Sequence, residues 1–385
     1  MNIGYDSKRA FQNKTGLGNY SRSLITILSR YFPQHHYILF APRQTSLFKI
    51  ELFYKVRAIE PQNPFFKKFP SLWRRMGMVK EIKTAGLDIY HGLSNELPRG
   101  IQKANIKTIV TIHDLIFERF PETYHFDERY VHRWKIKHAC KIADAIIAIS
   151  QQTKDDLINL YKVKAEKIFI CYQSCNPIFE KKSSEEEKAI VKKRYRLPGK
   201  YFLFVSSIAP RKNLLTVCRA MILLKDQINI PLLVIGDGKK EKENVRKLMQ
   251  SNGMEERLIL LNEMQQSKED SFASAEDFPA IYQQATALIY PSVFEGFGLP
   301  LLEAFWSGLP VICSNASSLP EVAAAAALYF SPTDHEMLAK HMLNIFTDNQ
   351  LVSDLKNKGF ERAQSFASDK YADSIMKVYN HVNNR

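Results

Sequence analysis

The stretch ATALIYPS (residues 285–292), leading into FEGFGLPLLEAFWSG (residues 294–308), decides how the chain is read. Its first part is apolar and ends in Pro-Ser, as the run of a central parallel strand does. Gly296 and Gly298 let the backbone turn sharply, and Pro300 suits the first turn of a helix, where a missing N–H costs nothing. The segment predicts a strand, a tight loop and a helix N-terminus. Open amides and the helix dipole then favour an anion at the mouth of the sheet. Two carboxylates bracket the loop. From a helix beginning near Leu299, Glu303 lies about one turn in, so Glu295 and Glu303 can bond different parts of one ligand.

The same grammar extends in both directions. A strand opens the chain, followed by a loop NKTGLG (13–18) and a helix NYSRSLITILSRYF with apolar residues at helical spacing. Short β-rich runs follow at HYILFA (36–41), LDIYHG (87–92), KTIVTIHD (107–114), ADAIIAIS (143–150) and KIFICY (167–172). The charged stretch 180–200 reads as a linker running into a connecting helix. Alternation restarts at YFLFVSS (201–207), PLLVIGDG (231–238), RLILLN (257–262), ALIYPS (287–292) and LPVICSN (309–315), with a polar surface insertion expected at 265–277. Strand–helix alternation implies parallel sheets covered on both faces. The expectation is two doubly wound Rossmann-like domains with a cleft between them: residues 1–180, residues 181–365, and a terminal helix over 366–385 packing back on the first domain.

In open parallel sheets ligands bind beyond the carboxyl ends of the strands, and four sites fall there. TGLGNY (15–20) offers Gly16 and Gly18 for close backbone approach, but lacks the third glycine of a dinucleotide fingerprint. TIHDL (111–115) places His113 and Asp114 just past a buried strand. SSIAPRKNL (206–214) sets Arg211 and Lys212 between a strand and a helix, which suits a diphosphate. The fourth is the opening stretch. Together they describe a ligand with an anionic middle and hydroxyls on both sides, as in a nucleotide-diphosphate sugar. Ser150, after AIIAI, reads only as an N-cap.

These motifs resemble the family 4 retaining glycosyltransferases of the two-Rossmann GT-B type. The likeness runs through TGLGNYSRSL, YHGLSNELP, TIHDLIFERFPETY, IAISQQTKDDL, APRKNL and YPSVFEGFGLPLLEAFWSGLPVICSNASSLPEV. By that resemblance Arg211 and Lys212 bind the donor diphosphate, Glu295 the donor sugar and Glu303 the ribose. The loop Gly296, Phe297, Gly298 and Leu299 completes the donor site. His113 stands near the reacting carbon, and Gly16 and Gly18 near the phosphates and acceptor. The resemblance implies no cofactor, no metal, a nucleotide-sugar co-substrate, and a glycan or lipid-linked acceptor. Likeness to bacterial mannosyltransferases favours GDP-mannose, with UDP-glucose or UDP-N-acetylglucosamine as alternatives. The pattern departs at EVAAAAALYF (321–330), where family members often carry a Gly and an acidic or amide residue.

Composition narrows the rest. The chain has 385 residues and a formal charge of +14. Residues 1–180 carry 28 Lys and Arg against 16 Asp and Glu, a net +12, while the remainder is +2. The five cysteines are scattered without a zinc pattern, and the N-terminus lacks an apolar signal core, so a cytoplasmic enzyme is expected. A glycoside hydrolase would need the paired carboxylates but not the Arg-Lys cradle, and a sugar-nucleotide epimerase would need no acceptor. A nucleic-acid binder would explain the charge and leave the Glu-Gly-Glu block in the nearly neutral half unexplained. No Asp-x-Asp occurs, which argues against a metal-dependent single-domain transferase. In residues 63–83, Phe65, Phe66, Phe69, Trp73 and Met76 interleave with Lys67, Lys68, Arg74, Arg75, Lys80 and Lys83. That composition suits either a core helix with a solvated basic face or, in the sharper reading, an interfacial face for anionic lipid.

Overall fold

Seven apolar runs of the N-terminal half line up as one parallel sheet: β1 (Asn2–Asp6), β2 (His36–Phe40), β3 (Val56–Ile59), β4 (Ile89–Gly92), β5 (Lys107–Ile112), β6 (Ala145–Ala148) and β7 (Ile168–Ile170). Their spatial order is β3-β2-β1-β4-β5-β6-β7. The structure, a computed structural model, describes residues 1–384. Arg385, the last residue of the expected terminal helix, lies outside the described residues. A second parallel sheet comprises β8 (Phe202–Val205), β9 (Leu232–Ile235), β10 (Leu258–Leu260), β11 (Ala287–Tyr290), β12 (Val311–Ser314) and β13 (Ala327–Phe330), in the order β10-β9-β8-β11-β12-β13. Both are doubly wound orders, reversing between β1 and β4 and between β8 and β11. The short edge strands β3 and β13 carry too weak an apolar run to be read in advance.

The sheets define two compact units. One is Met1–Ser174 together with the segment from Ala367 onward; the other is Cys175–Phe366. In the first, the helix Ser368–Asn383 contributes Tyr371, Ile375, Met376 and Tyr379 to the core formed by Ile3, Tyr5, Leu24 and Leu28. In the second, the helix Leu214–Leu223 packs Val217 and Met221 against β8 and β9. All five cysteines are buried, and none forms a disulfide among the described residues. No helix among the described residues is long and apolar enough to cross a membrane.

Four expectations are refined. The loop expected at 13–18 is shorter, because the helix already starts at Gly16 (Gly16–Tyr31). The Asn13 side chain nucleates it by accepting from the N–H groups of Thr15 (2.8 Å) and Gly18 (3.2 Å). The stretch 180–200 holds the helix expected there, Glu185–Arg194, started by a reciprocal Ser184–Glu187 capping box and packed within the second unit rather than bridging as a linker. The segment 265–277 keeps Gln265, Lys268, Glu269, Ser274 and Glu276 exposed, as a surface segment does, but is anchored: Phe272 is buried, and Asp277 accepts from Arg194 (2.7 Å) and the Tyr195 hydroxyl (2.6 Å). Within 63–83 two presumed surface residues are internal. Trp73 is fully buried, and the Arg74 guanidinium pairs with Asp6 (2.5 Å) and Glu96. Phe65, Phe69 and Met76 stay about half exposed beside the exposed Lys67, Lys68 and Arg75.

The alanine run holds one strained residue. Ala324 has φ 47° and ψ −124°, a conformation that costs an L side chain about 1–3 kcal/mol. The local bonds fix it there: the Tyr329 hydroxyl donates to the Ala324 carbonyl (2.6 Å), and the Arg362 guanidinium donates to the carbonyls of Glu321 (2.6 Å) and Val322 (2.8 Å). Ala324→Gly is expected to stabilise the second unit by about 1 kcal/mol, the relieved strain outweighing the entropy that glycine adds to the unfolded chain. Thermal unfolding reads the result, and a lowered midpoint would sink the account.

Candidate active site

The loops that follow β8 and β11 are hydrogen-bonded to each other at the reversal of the second sheet. The Val293 N–H donates to the Arg211 carbonyl (2.9 Å), and the Arg211 guanidinium donates to the Phe294 carbonyl. Asn213, in the left-handed conformation that Asn tolerates, starts the helix Leu214–Leu223 and donates from Nδ2 to the carbonyls of Pro291 (3.1 Å) and Pro332 (2.7 Å). This stitching brings Lys212 Nζ to 2.5 Å from Glu295 Oε1 and Arg211 Nη1 to 3.5 Å from Glu295 Oε2. Burial alone would push the Glu295 carboxyl up, but the Lys212 and Arg211 charges and a hydrogen bond from Lys212 hold it below its ordinary value. Glu295 is therefore an ionised acceptor in a fixed position. The cluster carries one net positive charge.

The helix Leu299–Trp306 begins directly after it, with Pro300 in its first turn. Gly298 lies at φ 115°, and a side chain there would meet Leu319 Cδ2 at 2.8 Å, so only glycine permits this turn. The Ser318 hydroxyl clamps the loop by reaching the carbonyls of Glu295 (3.0 Å) and Phe297 (2.8 Å), and Ser317 accepts from the Glu295 N–H (2.8 Å). Gly296 and Phe297 are buried, Phe297 edge-on to Phe366, while Leu299 is half-buried. Glu303, half-buried in the second turn, accepts a 2.7 Å hydrogen bond from the Tyr282 hydroxyl. Burial pushes its carboxyl up to about 7, against the pull of that bond. At the end of β11 the Tyr290 hydroxyl is pushed far up by burial and then by the charges of Glu295 and Glu303, so both carboxylates act on one tyrosine. Arg211, Lys212, Glu295, the loop 296–299 and Glu303 thus form one site in the second unit. Sequence reasoning missed Tyr282, Tyr290, Ser317 and Ser318; the position of Tyr290 as the last residue of an apolar strand was the one available signal.

Gly16, Gly18 and His113 belong to the first unit. A side chain at Gly18 would meet the Asn13 carbonyl oxygen at 1.8 Å, and the Gly18 N–H already bonds the Thr15 carbonyl (2.9 Å). Gly18 is therefore required by packing, whereas Gly16 has nothing within 4 Å of where a side chain would start. His113 follows β5 and is buried. Its N–H donates to Asn95 Oδ1 (2.9 Å), and its Nε2 lies 2.9 Å from the Leu93 carbonyl. A carbonyl can only accept, so Nε2 carries the proton and Nδ1 is left as an acceptor. Burial pushes this imidazole down to about 4, and the Arg9 charge lowers it further against the Leu93 bond. Tyr20 stacks edge-on to it at 4.5 Å, its hydroxyl 2.9 Å from Thr111 Oγ1. Thr111 in turn meets His91 (2.8 Å), whose other ring nitrogen meets the Tyr379 hydroxyl (2.7 Å). Asp114 accepts from the Ile116 N–H (3.1 Å), and Ser150 caps the helix Gln151–Tyr161 as expected. Among the described residues no group of three or more His, Cys, Asp or Glu side chains could hold a metal ion.

Both halves match known families. A family model described as glycosyl transferases group 1 matches residues 185–362, and one described as glycosyltransferase family 4 matches residues 15–177. The chain is 29% identical over 295 residues to O-antigen chain mannosyltransferase B of Escherichia coli, covering 76% of this chain and 74% of that protein. It is 27% identical over 288 residues to the serotype-specific mannosyltransferase WbdA of Escherichia coli, covering 73% of this chain and 34% of that longer protein. Among solved structures, HepE of Anabaena in complex with UDP-glucose superposes with a TM-score of 0.73 at 16% identity, over 99% of this chain and all of that one. The architecture is that of the GT-B glycosyltransferases.

Proposed function

Because the chain belongs to the family 4 and group 1 glycosyltransferases, we propose that it moves mannose from GDP-mannose to a lipid-linked or polysaccharide acceptor, retaining the donor's configuration and using no metal ion. The observation that carries this reading is the buried Lys212–Glu295–Arg211 cluster beside the N-terminus of the helix Leu299–Trp306. Arg211, Lys212 and that N-terminus stabilise charge developing on the departing diphosphate, the usual large catalytic term. Glu295 accepts from hydroxyls of the transferred sugar and Glu303 from the ribose. His113 offers Nδ1 to a sugar hydroxyl, and Gly16 gives the phosphates and acceptor room to approach. Support for mannose comes from the relatives named mannosyltransferase, and for a nucleotide-diphosphate donor from the UDP-glucose complex of a protein with the same fold. Incubation with GDP-mannose, a mannoside acceptor and excess chelator is expected to give product whose first-formed linkage is α by proton NMR. An inverted linkage excludes retention; activity restored by manganese excludes metal independence; transfer from UDP-glucose alone reassigns the donor.

Ionised Glu303 is the form that accepts two ribose hydroxyls, and its carboxyl titrates at about 7 in the free protein. Nucleotide affinity is therefore expected to rise as pH goes from 6 to 8, since binding releases the proton that the free carboxyl holds below 7. Glu303→Gln should remove that dependence, and Glu303→Ala should weaken binding by about 1.5–3 kcal/mol per lost charged hydrogen bond. Titration calorimetry at three pH values decides it. Unchanged affinity in a folded Ala variant removes Glu303 from the ribose site.

A lipid-linked acceptor places the enzyme on the cytoplasmic membrane face, and the first unit carries an exposed patch suited to it: Phe65, Phe69 and Met76 among Lys67, Lys68 and Arg75. Each basic residue near an anionic surface contributes about 1 kcal/mol, falling off within a Debye length. Sedimentation with anionic vesicles is expected, and with neutral vesicles is not. Lys67→Glu with Lys68→Glu should weaken it about tenfold or more; no change assigns these charges to solvation alone.

A further inference from the structure

The first unit holds a cavity of about 340 Å³ at its own sheet reversal, between the ends of β1 and β4. Asp6, the last residue of β1, and Glu96, four residues past β4, lie in its wall. Six cations line it against these two acids. Arg74 and Lys135 consume both carboxylates: Arg74 pairs with Asp6 (2.5 Å) and with Glu96, and Lys135 Nζ lies 2.7 Å from Glu96. The remaining four, Lys8, Arg9, Arg75 and Arg99, have no carboxylate within ion-pair reach among the described residues. Arg9 Nε is buried without a hydrogen-bond partner.

One of these cations is held in place. The Arg99 guanidinium lies 4.2 Å from the centre of the Trp134 ring, and the Arg99 backbone N–H donates to the Arg75 carbonyl (2.7 Å), which ties the two segments together. The crowding has an electrostatic signature: burial and then the Arg74 and Arg9 charges lower the Lys8 ammonium. Uncompensated like charges around a concave, partly desolvated site raise the free energy of the empty protein, and an anion with several oxygens lowers it. The loop that brings Glu96 and Arg99 to the cavity also holds His113, through Asn95 Oδ1 (2.9 Å) and the Leu93 carbonyl (2.9 Å), so the cavity wall and the imidazole to which the proposed function gives the reacting sugar share one segment.

We infer that this cavity binds a phosphate or diphosphate ester, and that the acceptor is a saccharide carrying such a group. The arginine forks chelate the phosphoryl oxygens while Lys8 acts as a point charge. The assignment of the ester as acceptor rests on the glycosyltransferase reading; the anion site itself does not.

Titration of the full chain with inorganic pyrophosphate, in the presence of saturating GDP and UDP, tests the site. One additional binding event is expected, weakened at least tenfold by Arg75→Gln with Arg99→Gln and largely retained by the matching Lys pair. Nucleoside diphosphate affinity should stay within twofold. Absence of pyrophosphate binding overturns the site, and a parallel loss of nucleotide affinity in the Gln variant makes the cavity part of the donor site. A transfer assay with a short-chain alkyl diphosphate glycoside and its phosphate-free counterpart tests the acceptor. The Gln variant should raise KM at least tenfold for the first, with kcat unchanged, and leave the second alone; an equal rise for both overturns the ester assignment. A diphosphate ester that binds no more tightly than inorganic pyrophosphate marks a free-phosphate ligand and overturns the acceptor role. Pyrophosphate binding without transfer from any nucleotide sugar sinks the proposed function and leaves the anion site standing.

Discussion

The ion pair between Lys212 and Glu295 is the constraint on which the second unit's site depends. It joins residues 83 positions apart, in the loops after two neighbouring strands, and both side chains are buried. Taking two such charges out of water costs several kcal/mol each, recovered only with good geometry and further partners. Those partners are present. Arg211 adds a second cation, Ser317 takes the Glu295 N–H, and Ser318 holds the following turn. A hydrophobic replacement would fill the space as well and would leave no charge to meet a ligand. A cluster with two cations and one carboxylate is already short of one negative charge before a diphosphate arrives.

Its two acids are set for different work by their surroundings. Glu295 is desolvated but neutralised, so it stays ionised well below neutral pH. Glu303 is desolvated beside a neutral tyrosine hydroxyl, so its carboxyl rises to about 7. The first is an acceptor at any pH near neutral; the second sits where a small change of surroundings changes its protonation. His113 follows the same logic with the opposite sign. Burial, and then the Arg9 charge, removes the charged form of its imidazole, and the bond to the Leu93 carbonyl fixes one tautomer and one acceptor nitrogen.

Strands and strand-end loops were legible because they are written locally. Apolar runs closed by Gly, Pro or Ser reveal a parallel sheet without knowledge of the neighbours, and the reversal of the second sheet fell where Arg211, Lys212 and Glu295 had been placed. What was illegible depended on partners far along the chain. Trp73 and Arg74 sit in a basic, aromatic stretch that reads as surface, and only Asp6 and Glu96, 68 and 22 positions away, turn Arg74 inward. Asp277 looks like part of a polar insertion until Arg194 and Tyr195 reach it from 83 and 82 positions away. Gly18 was read as a ligand glycine, yet its lack of a side chain answers to the Asn13 carbonyl. In that case the local signal was right about a turn and silent about its reason.

Charge is partitioned between the units more completely than the halves of the sequence suggest. Residues 1–174 and 367–385 carry 31 Lys and Arg against 17 Asp and Glu, whereas residues 175–366 carry 23 of each, so the whole +14 belongs to the first unit. The difference is one of pairing as well as of number. In the second unit Lys212, Arg194 and Lys242 each have an acid within 3 Å, whereas four cations at the first unit's sheet reversal have none within ion-pair reach among the described residues. Excess charge spread over a surface is screened beyond about 8 Å at physiological ionic strength and acts weakly at a distance. Charge gathered around a concavity focuses its field and is screened less than the same charge spread over a surface. The second unit therefore holds its two cations against a shared carboxylate, with one positive charge left over, while four cations at the first unit's sheet reversal pair with no carboxylate among the described residues. Two sheets of the same winding thus differ in what their reversals present: one sets carboxylates beside its cations, the other leaves cations without an ion-pair partner among the described residues.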